Sequence, residues 1–230
     1  MSKSHFEAKE IEIFAATTRH LQGMACLHRM CFSSQFEQQM GQNYLLSAYR
    51  PYITDSSGIA IVAVDSHENI VGFVTGGSRN IERQFVKTIP KKFVFQLSFG
   101  FLFNKVVREV IITRLLDAFR SRANGNWRRS DAVLPPGTAW LYVICVHPEA
   151  RASAVATRLI EAFISECATR GYTRAALRVS QRNGRAIRCY EKNGWRIFSS
   201  ERDSFQMVFE LAPISVQNQM EGVAGHKSEM

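Results

Sequence analysis

Long apolar runs are missing from this 230-residue chain, and without about 18 successive hydrophobic residues no segment reads as a bilayer-crossing helix. The stretch Met1 to Glu10 lacks the apolar core of a secretory signal, so export is not expected. Cysteine is sparse: Cys26, Cys31, Cys145, Cys167 and Cys189 are odd in number and show no C-x-x-C spacing. That excludes a disulfide framework and predicts reduced thiols in a cytoplasmic protein. The six histidines are scattered as well, so no metal is expected. Acidic residues are outnumbered, 20 against 29 Lys and Arg, and the shortfall is local. Between Ser78 and Pro135 twelve basic residues face four acids, whereas the rest of the chain is nearly balanced at seventeen to sixteen. Whatever the basicity does, one segment does it.

What is present is the composition of a folded domain, 46% hydrophobic and 21% charged, at a length that suits one domain with a sizeable insertion. Ile11, Ile13 and Ala15 alternate as a first strand, and Thr17 or Thr18 can cap a helix whose apolar face carries Leu21, Met24, Leu27 or His28, and Cys31. A second helix is expected at Tyr44 to Tyr49, with Pro51 limiting it. Ile59 to Val64 and Ile70 to Val74 are β-branched runs separated by D-S-H-E-N, which predicts a hairpin. In the basic segment Val107, Val110 or Ile111, Leu115 and Phe119 form one helical face. Trp195 to Ser200 and Phe205 to Leu211 read as a closing strand pair, and residues 213–230 as a polar tail.

The stretch from Trp140 to Trp195 carries the chemistry. A strand, Leu141 to Val146, ends at His147-Pro148 and turns through E-A-R-A-S-A-V-A into a helix that runs to about Arg170, stopped by Gly171. Such a turn points unpaired N–H groups and the positive end of the helix dipole outward, which suits an anion. Ala152, Ser153, Ala154 and Ala156 are small enough for a phosphate to approach the backbone, and Arg151 adds a positive charge. Small residues at a helix start also serve packing.

Val146, Pro148, Arg151, Ala154 and Ala156, followed by Asn183, Ala186, Tyr190, Glu191, Lys192, Gly194 and Trp195, resemble the GNAT acyltransferase superfamily in residue type and spacing. The expected order of elements resembles it too, over residues 1–212 apart from an insertion at 78–135. The implied fold is an α/β mixed central sheet flanked by helices, with a basic helical insertion between the third and fourth strands. The resemblance implies an N-acyltransferase that uses acetyl-CoA as acyl donor. By similarity, the backbone of Ile144, Cys145 and Val146 would pair with the pantetheine arm, and the amides of Arg151, Ala152, Ser153, Ala154, Val155 and Ala156 would hold the pyrophosphate. Asn183 would bond the pantetheine or its loop, and Tyr190 would protonate the departing thiolate. Tyr190 also reads as an aromatic packing its helix on the sheet, with Asn183 as the N-cap. Two departures stand out. Ala154 replaces the motif's usual first glycine, and the face where many relatives place a glutamate base carries Trp140 and Tyr142. The base is left among Glu37, His28, His147 and Tyr142.

A second resemblance, through the M-G-x-x-Y-L segment and the basic insertion, is to acetyltransferases of polysaccharide and amino-sugar biosynthesis, and implies a small-molecule amine acceptor. Three readings of residues 78–135 stay open. They form a lid or homodimer arm, a peripheral contact with an anionic membrane, or a basic surface for an anionic substrate or nucleic acid, nucleic acid ranking below the others. In the last case the protein would be directed at tRNA, or be a non-catalytic CoA-binding module.

Overall fold

The computed structural model describes residues 11–32, 35–81, 134–151, 153–201 and 203–211, with the backbone alone for 35–41. Strand β1 (Glu12–Ala15) leads through a 3₁₀ turn capped by Thr17 into α1 (Leu21–Cys31) and α2 (Gln35–Thr54). There follow β2 (Gly58–Val64), β3 (Ile70–Gly77), β4 (Thr138–Val146), α3 (Val155–Thr169), β5 (Arg174–Ser180), α4 (Gly184–Lys192), β6 (Arg196–Glu201) and β7 (Ser204–Glu210). The seven strands form one mixed sheet in the order β1-β2-β3-β4-β5-β7-β6. Neighbouring strands are antiparallel except β4 and β5, which are parallel and joined by the α3 crossover. This is the expected α/β architecture with flanking helices. The tail at 213–230 and most of the insertion at 78–135, including its helical face at 107–119, lie outside the described residues.

Each helix follows from its apolar spacing. In α3, Val155, Leu159, Phe163 and Cys167 recur every fourth residue and are fully buried against one sheet face, with Ile61, Val74, Leu141 and Leu177. On the other face Leu21, Met24 and Leu27 of α1 and Leu45 and Tyr49 of α2 close over Val62, Phe73 and Cys145. Covered on both sides, β2 is buried at every position, which is why G-I-A-I-V-A-V shows no alternation. At Gly76 the helix–sheet approach is so close that a Cβ would lie 2.3 Å from the Trp140 carbonyl oxygen and 2.4 Å from the Phe163 ring.

One expectation is corrected. Helix α2 does not stop at Pro51 but runs through it to Thr54. Proline removes one N–H and crowds the carbonyl four residues back, yet here it sits in the last turn, and the Asp55 N–H still donates to the Pro51 carbonyl at 3.0 Å. The hairpin forms as expected. The Asp65 carboxylate accepts the His67 and Asn69 N–H groups at 2.9 and 2.8 Å, which shapes its turn.

Candidate functional site

Strands β4 and β5 pair only at their first halves, from Thr138 with Arg174 to Leu141 with Leu177. Beyond that point β4 continues to Val146 and β5 to Ser180 without pairing to each other, so the sheet opens along its middle. A bulge accompanies the opening. Thr75 pairs with Val143 and Gly76 with Leu141, leaving Tyr142 as the extra residue of β4.

The ladder with β3 decides which backbone groups line the opening. The His147 N–H donates to the Val71 carbonyl at 2.8 Å, which makes this a hydrogen-bonded pair. Antiparallel pairs alternate, so Phe73 and Cys145 form the next one, and the N–H and C=O of Ile144 and Val146 face away from β3 into the opening. This corrects the expected strip of three residues. Cys145 spends its backbone groups on β3, because successive residues of a strand cannot all address the same edge.

The open end of β4 leads to the turn. Pro148–Ala150 form a 3₁₀ turn, and α3 starts after Ala154, which lacks a side-chain cap. Its backbone, at φ −73° and ψ 4°, requires no positive φ, so alanine is accommodated where the family motif has glycine. The Ser153 hydroxyl donates to the Ala150 carbonyl at 2.6 Å and accepts the Val155 N–H at 3.4 Å. The N–H groups of Ala156 and Thr157 belong to the first turn, where a helix supplies no acceptor of its own. No acidic side chain occupies that turn, so the positive end of the helix dipole is not neutralised locally. Exposed Arg151 donates from Nε to the Val146 carbonyl at 3.3 Å, while Arg185 of α4 donates to the Arg151 carbonyl at 3.1 Å and ties the turn to the next helix. Ala152 lies outside the described residues, and the Val155 side chain is buried in the core.

Helix α4 carries the other two expected residues. The Asn183 side-chain oxygen accepts the Ala186 N–H at 3.1 Å, so it caps the helix and leaves only its amide nitrogen to offer a ligand. Tyr190 is 6% exposed and packs against Trp195, ring centroids 5.7 Å apart. Burial first, then the nearby thiols of Cys189 and Cys145, raise its phenol above the ordinary value, so it is a neutral hydroxyl at physiological pH.

The candidate bases divide. His28 is buried and shares a 2.5 Å hydrogen bond between its Nδ1 and the Tyr49 hydroxyl. The His147 Nδ1 accepts the Glu149 N–H at 3.4 Å and so serves the turn. The Glu37 side chain lies outside the described residues. Tyr142, at the bulge, is the candidate beside the opening, its ring 5.8 Å from that of Tyr52. Sequence reading missed Arg178, the first residue of β5 past the paired half, which lies 3.6 Å from the Glu201 carboxylate on β6. It also missed Cys31, whose thiol donates to the Val146 carbonyl at 3.3 Å. Neither has a local motif to announce it. Among the described residues no group of three His, Cys, Asp or Glu could hold a metal ion, and no helix is long and apolar enough to cross a membrane.

Comparison with known proteins follows the geometry. The family model described as Acetyltransferase (GNAT) family matches residues 21–195. No curated protein sequence matches. Among solved structures, the PaiA N-acetyltransferase of Thermoplasma acidophilum in complex with coenzyme A superposes with a TM-score of 0.56 at 12% identity, over 87% of this chain and 99% of that one. A GNAT-family acetyltransferase of Streptococcus pneumoniae gives 0.55 at 15% identity, over 88% and 100%. The ribosomal-protein-S18-alanine N-acetyltransferase of Escherichia coli gives 0.53 at 12% identity, over 90% and 98%. At these identities the likeness is one of fold.

Proposed function

The chain belongs to the GNAT acetyltransferase family, and from that premise we propose that it acetylates the amine of a small molecule, an amino sugar among the candidate acceptors. Acetyl-CoA, the family's donor, supplies the activated acetyl thioester. The backbone groups of Ile144 and Val146 would pair with the pantetheine arm along the opening. The uncapped start of α3, with Arg151 beside it, would receive the pyrophosphate. Asn183 would contribute its amide nitrogen, and Tyr190, kept protonated by burial, would donate to the sulfur as the thiolate leaves.

The observation that carries this reading is the conjunction at one end of β4. The edge of β4 that β5 leaves unpaired leads through the 3₁₀ turn to a helix start whose N-cap, Ala154, makes no side-chain hydrogen bond and whose first turn holds no acidic residue. A fold needing only stability would cap that helix, since a capping side chain contributes about 1 kcal/mol. The test is calorimetric titration with acetyl-CoA, followed by thiol release across a panel of amines. We expect acetyl-CoA binding and turnover of a small amine. Salt-sensitive RNA binding with no acetyl transfer to any amine would overturn the proposal. Tyr190→Phe should lower kcat about 10²- to 10⁴-fold with little change in CoA affinity, as loss of a general acid requires. An unchanged kcat would remove Tyr190 from that role.

A further inference from the structure

Cys31 closes α1, and its side chain packs on the apolar cluster in which Cys145 is buried. Its thiol reaches the end of β4, where the Val146 carbonyl accepts from both the Cys31 Sγ and the Arg151 Nε, each at 3.3 Å. The two cysteines are hydrogen-bonded side chain to side chain. One of them is reachable and the other is not: Cys31 is half-buried, while Cys145 is 2% exposed. Hydrogen bonding from Cys145, and the charge and hydrogen bond of Arg151, outweigh burial and pull the Cys31 thiol down to about 6. The other sulfurs differ. Burial pushes Cys167 up to about 12 and raises Cys189, and Cys26, although exposed, lies on α1 away from Val146.

We propose that Cys31 and Cys145 are an oxidisable thiol pair, which hydrogen peroxide converts to a disulfide at the wall of the β4–β5 opening. The Cys31 thiolate attacks the peroxide O–O bond and becomes a sulfenic acid, and one oxygen departs as hydroxide. The Cys145 sulfur then attacks the sulfenic sulfur, its proton passing to the departing hydroxide as water. In total the two thiols lose two electrons and two protons, and the peroxide is reduced to two waters. A half-buried but reachable, activated thiol backed by a shielded partner suits this chemistry.

The effect on function rests on the donor reading above. Reduced Cys31 sits on the Val146 backbone, which faces the opening, and beside Arg151. Drawing its sulfur to Cys145, on the α1 side of β4, removes the thiolate charge from beside Arg151 and leaves that guanidinium for the donor. Regaining one hydrogen-bonding partner for the pyrophosphate corresponds to about 3- to 10-fold tighter CoA binding.

The test uses the full-length protein, treated with hydrogen peroxide at neutral pH, then denatured, alkylated and mapped by mass spectrometry. A peptide joining Cys31 to Cys145 is expected, with Cys26 alkylated. In Cys145→Ser the sulfenic acid of Cys31 should persist and be captured by dimedone. Absence of that crosslink in the wild type, with both cysteines still alkylated, overturns the pair irrespective of how the variant folds. Calorimetry then compares CoA affinity in the reduced and oxidised forms. Equal affinity in fully crosslinked protein overturns the link to donor binding. A crosslink with no CoA binding by either form overturns the acetyltransferase reading and leaves the thiol pair standing.

Discussion

Ala154 stands where the family's turn motif usually has glycine, and its backbone angles leave glycine no advantage of conformation. What matters at this position is the missing cap. Ala154→Asp would place a carboxylate over the first-turn N–H groups, stabilising the helix start by about 1 kcal/mol, which raises Tm by about 2–4 °C in a chain of this size. The same carboxylate would occupy and repel at the proposed pyrophosphate position, so CoA affinity should fall at least about tenfold while Tm rises. Calorimetry and a thermal melt on one sample separate the two effects. A fall in both would mean that the turn is merely strained. Cys31 supplies a second test at this scale. Its folded-state thiol titrates near 6 against an ordinary value of 9.0, so the thiolate form is favoured in the native state. By linkage its contribution to stability is complete above about pH 9, declines as the pH falls, and is gone below about 6. Iodoacetamide labelling of Cys31 should therefore rise to a plateau by about pH 7, whereas Cys167, pushed to about 12, stays unlabelled in the native state. A Cys31 midpoint near 9 would refute the activated thiol.

At the scale of elements, legibility followed sequence distance. The α3 stripe of Val155, Leu159, Phe163 and Cys167 and the unbroken apolar run of β2 are local patterns, and both elements formed where they were expected. The end of α2 was misread because the penalty for Pro51 depends on how much helix follows it, which residue type alone does not say. The Tyr142 bulge and the reversed orientation of Cys145 depend on register against β3, a property of two strands rather than one. The contact of Cys31 with Val146 bridges 115 positions and leaves no local trace. Asn183 shows the converse, since capping and ligand binding call for the same residue type in the same place. Gly76 offers the test at this scale. Gly76→Ala would press a methyl group onto the Phe163 ring and the Trp140 carbonyl, costing about 1–3 kcal/mol. Shortening the ring with Phe163→Leu should restore little of that, because the carbonyl at 2.3 Å belongs to the β4 backbone and cannot withdraw. Full recovery of Tm in the double variant would show that the ring alone is the obstacle.

For the whole molecule, the question is how the basic segment relates to the donor cleft. Gly77 pairs with Trp140, so the chain leaves β3 and re-enters β4 at one end of the sheet, the end where β4 and β5 are still hydrogen-bonded. The opening and the uncapped start of α3 lie at the other end of β4. The path out and back is also anchored, since Ile81 and Leu134 are both buried and Arg79 stacks over Trp140 at 5.5 Å. The two points at which the basic segment joins the sheet thus lie at the opposite end of β4 from the proposed donor site. Replacing residues 82–133 with a short Gly/Ser linker, while keeping Ile81 and Leu134, should leave the sheet folded and CoA affinity within about threefold, less than the worth of one hydrogen bond. Turnover of the best amine should fall if the segment forms part of the acceptor site. Flotation with anionic vesicles should be lost instead if it serves as a membrane contact. Loss of CoA binding in a variant that still melts cooperatively would show that the insertion contributes to the proposed donor site although its attachment points lie at the other end of β4.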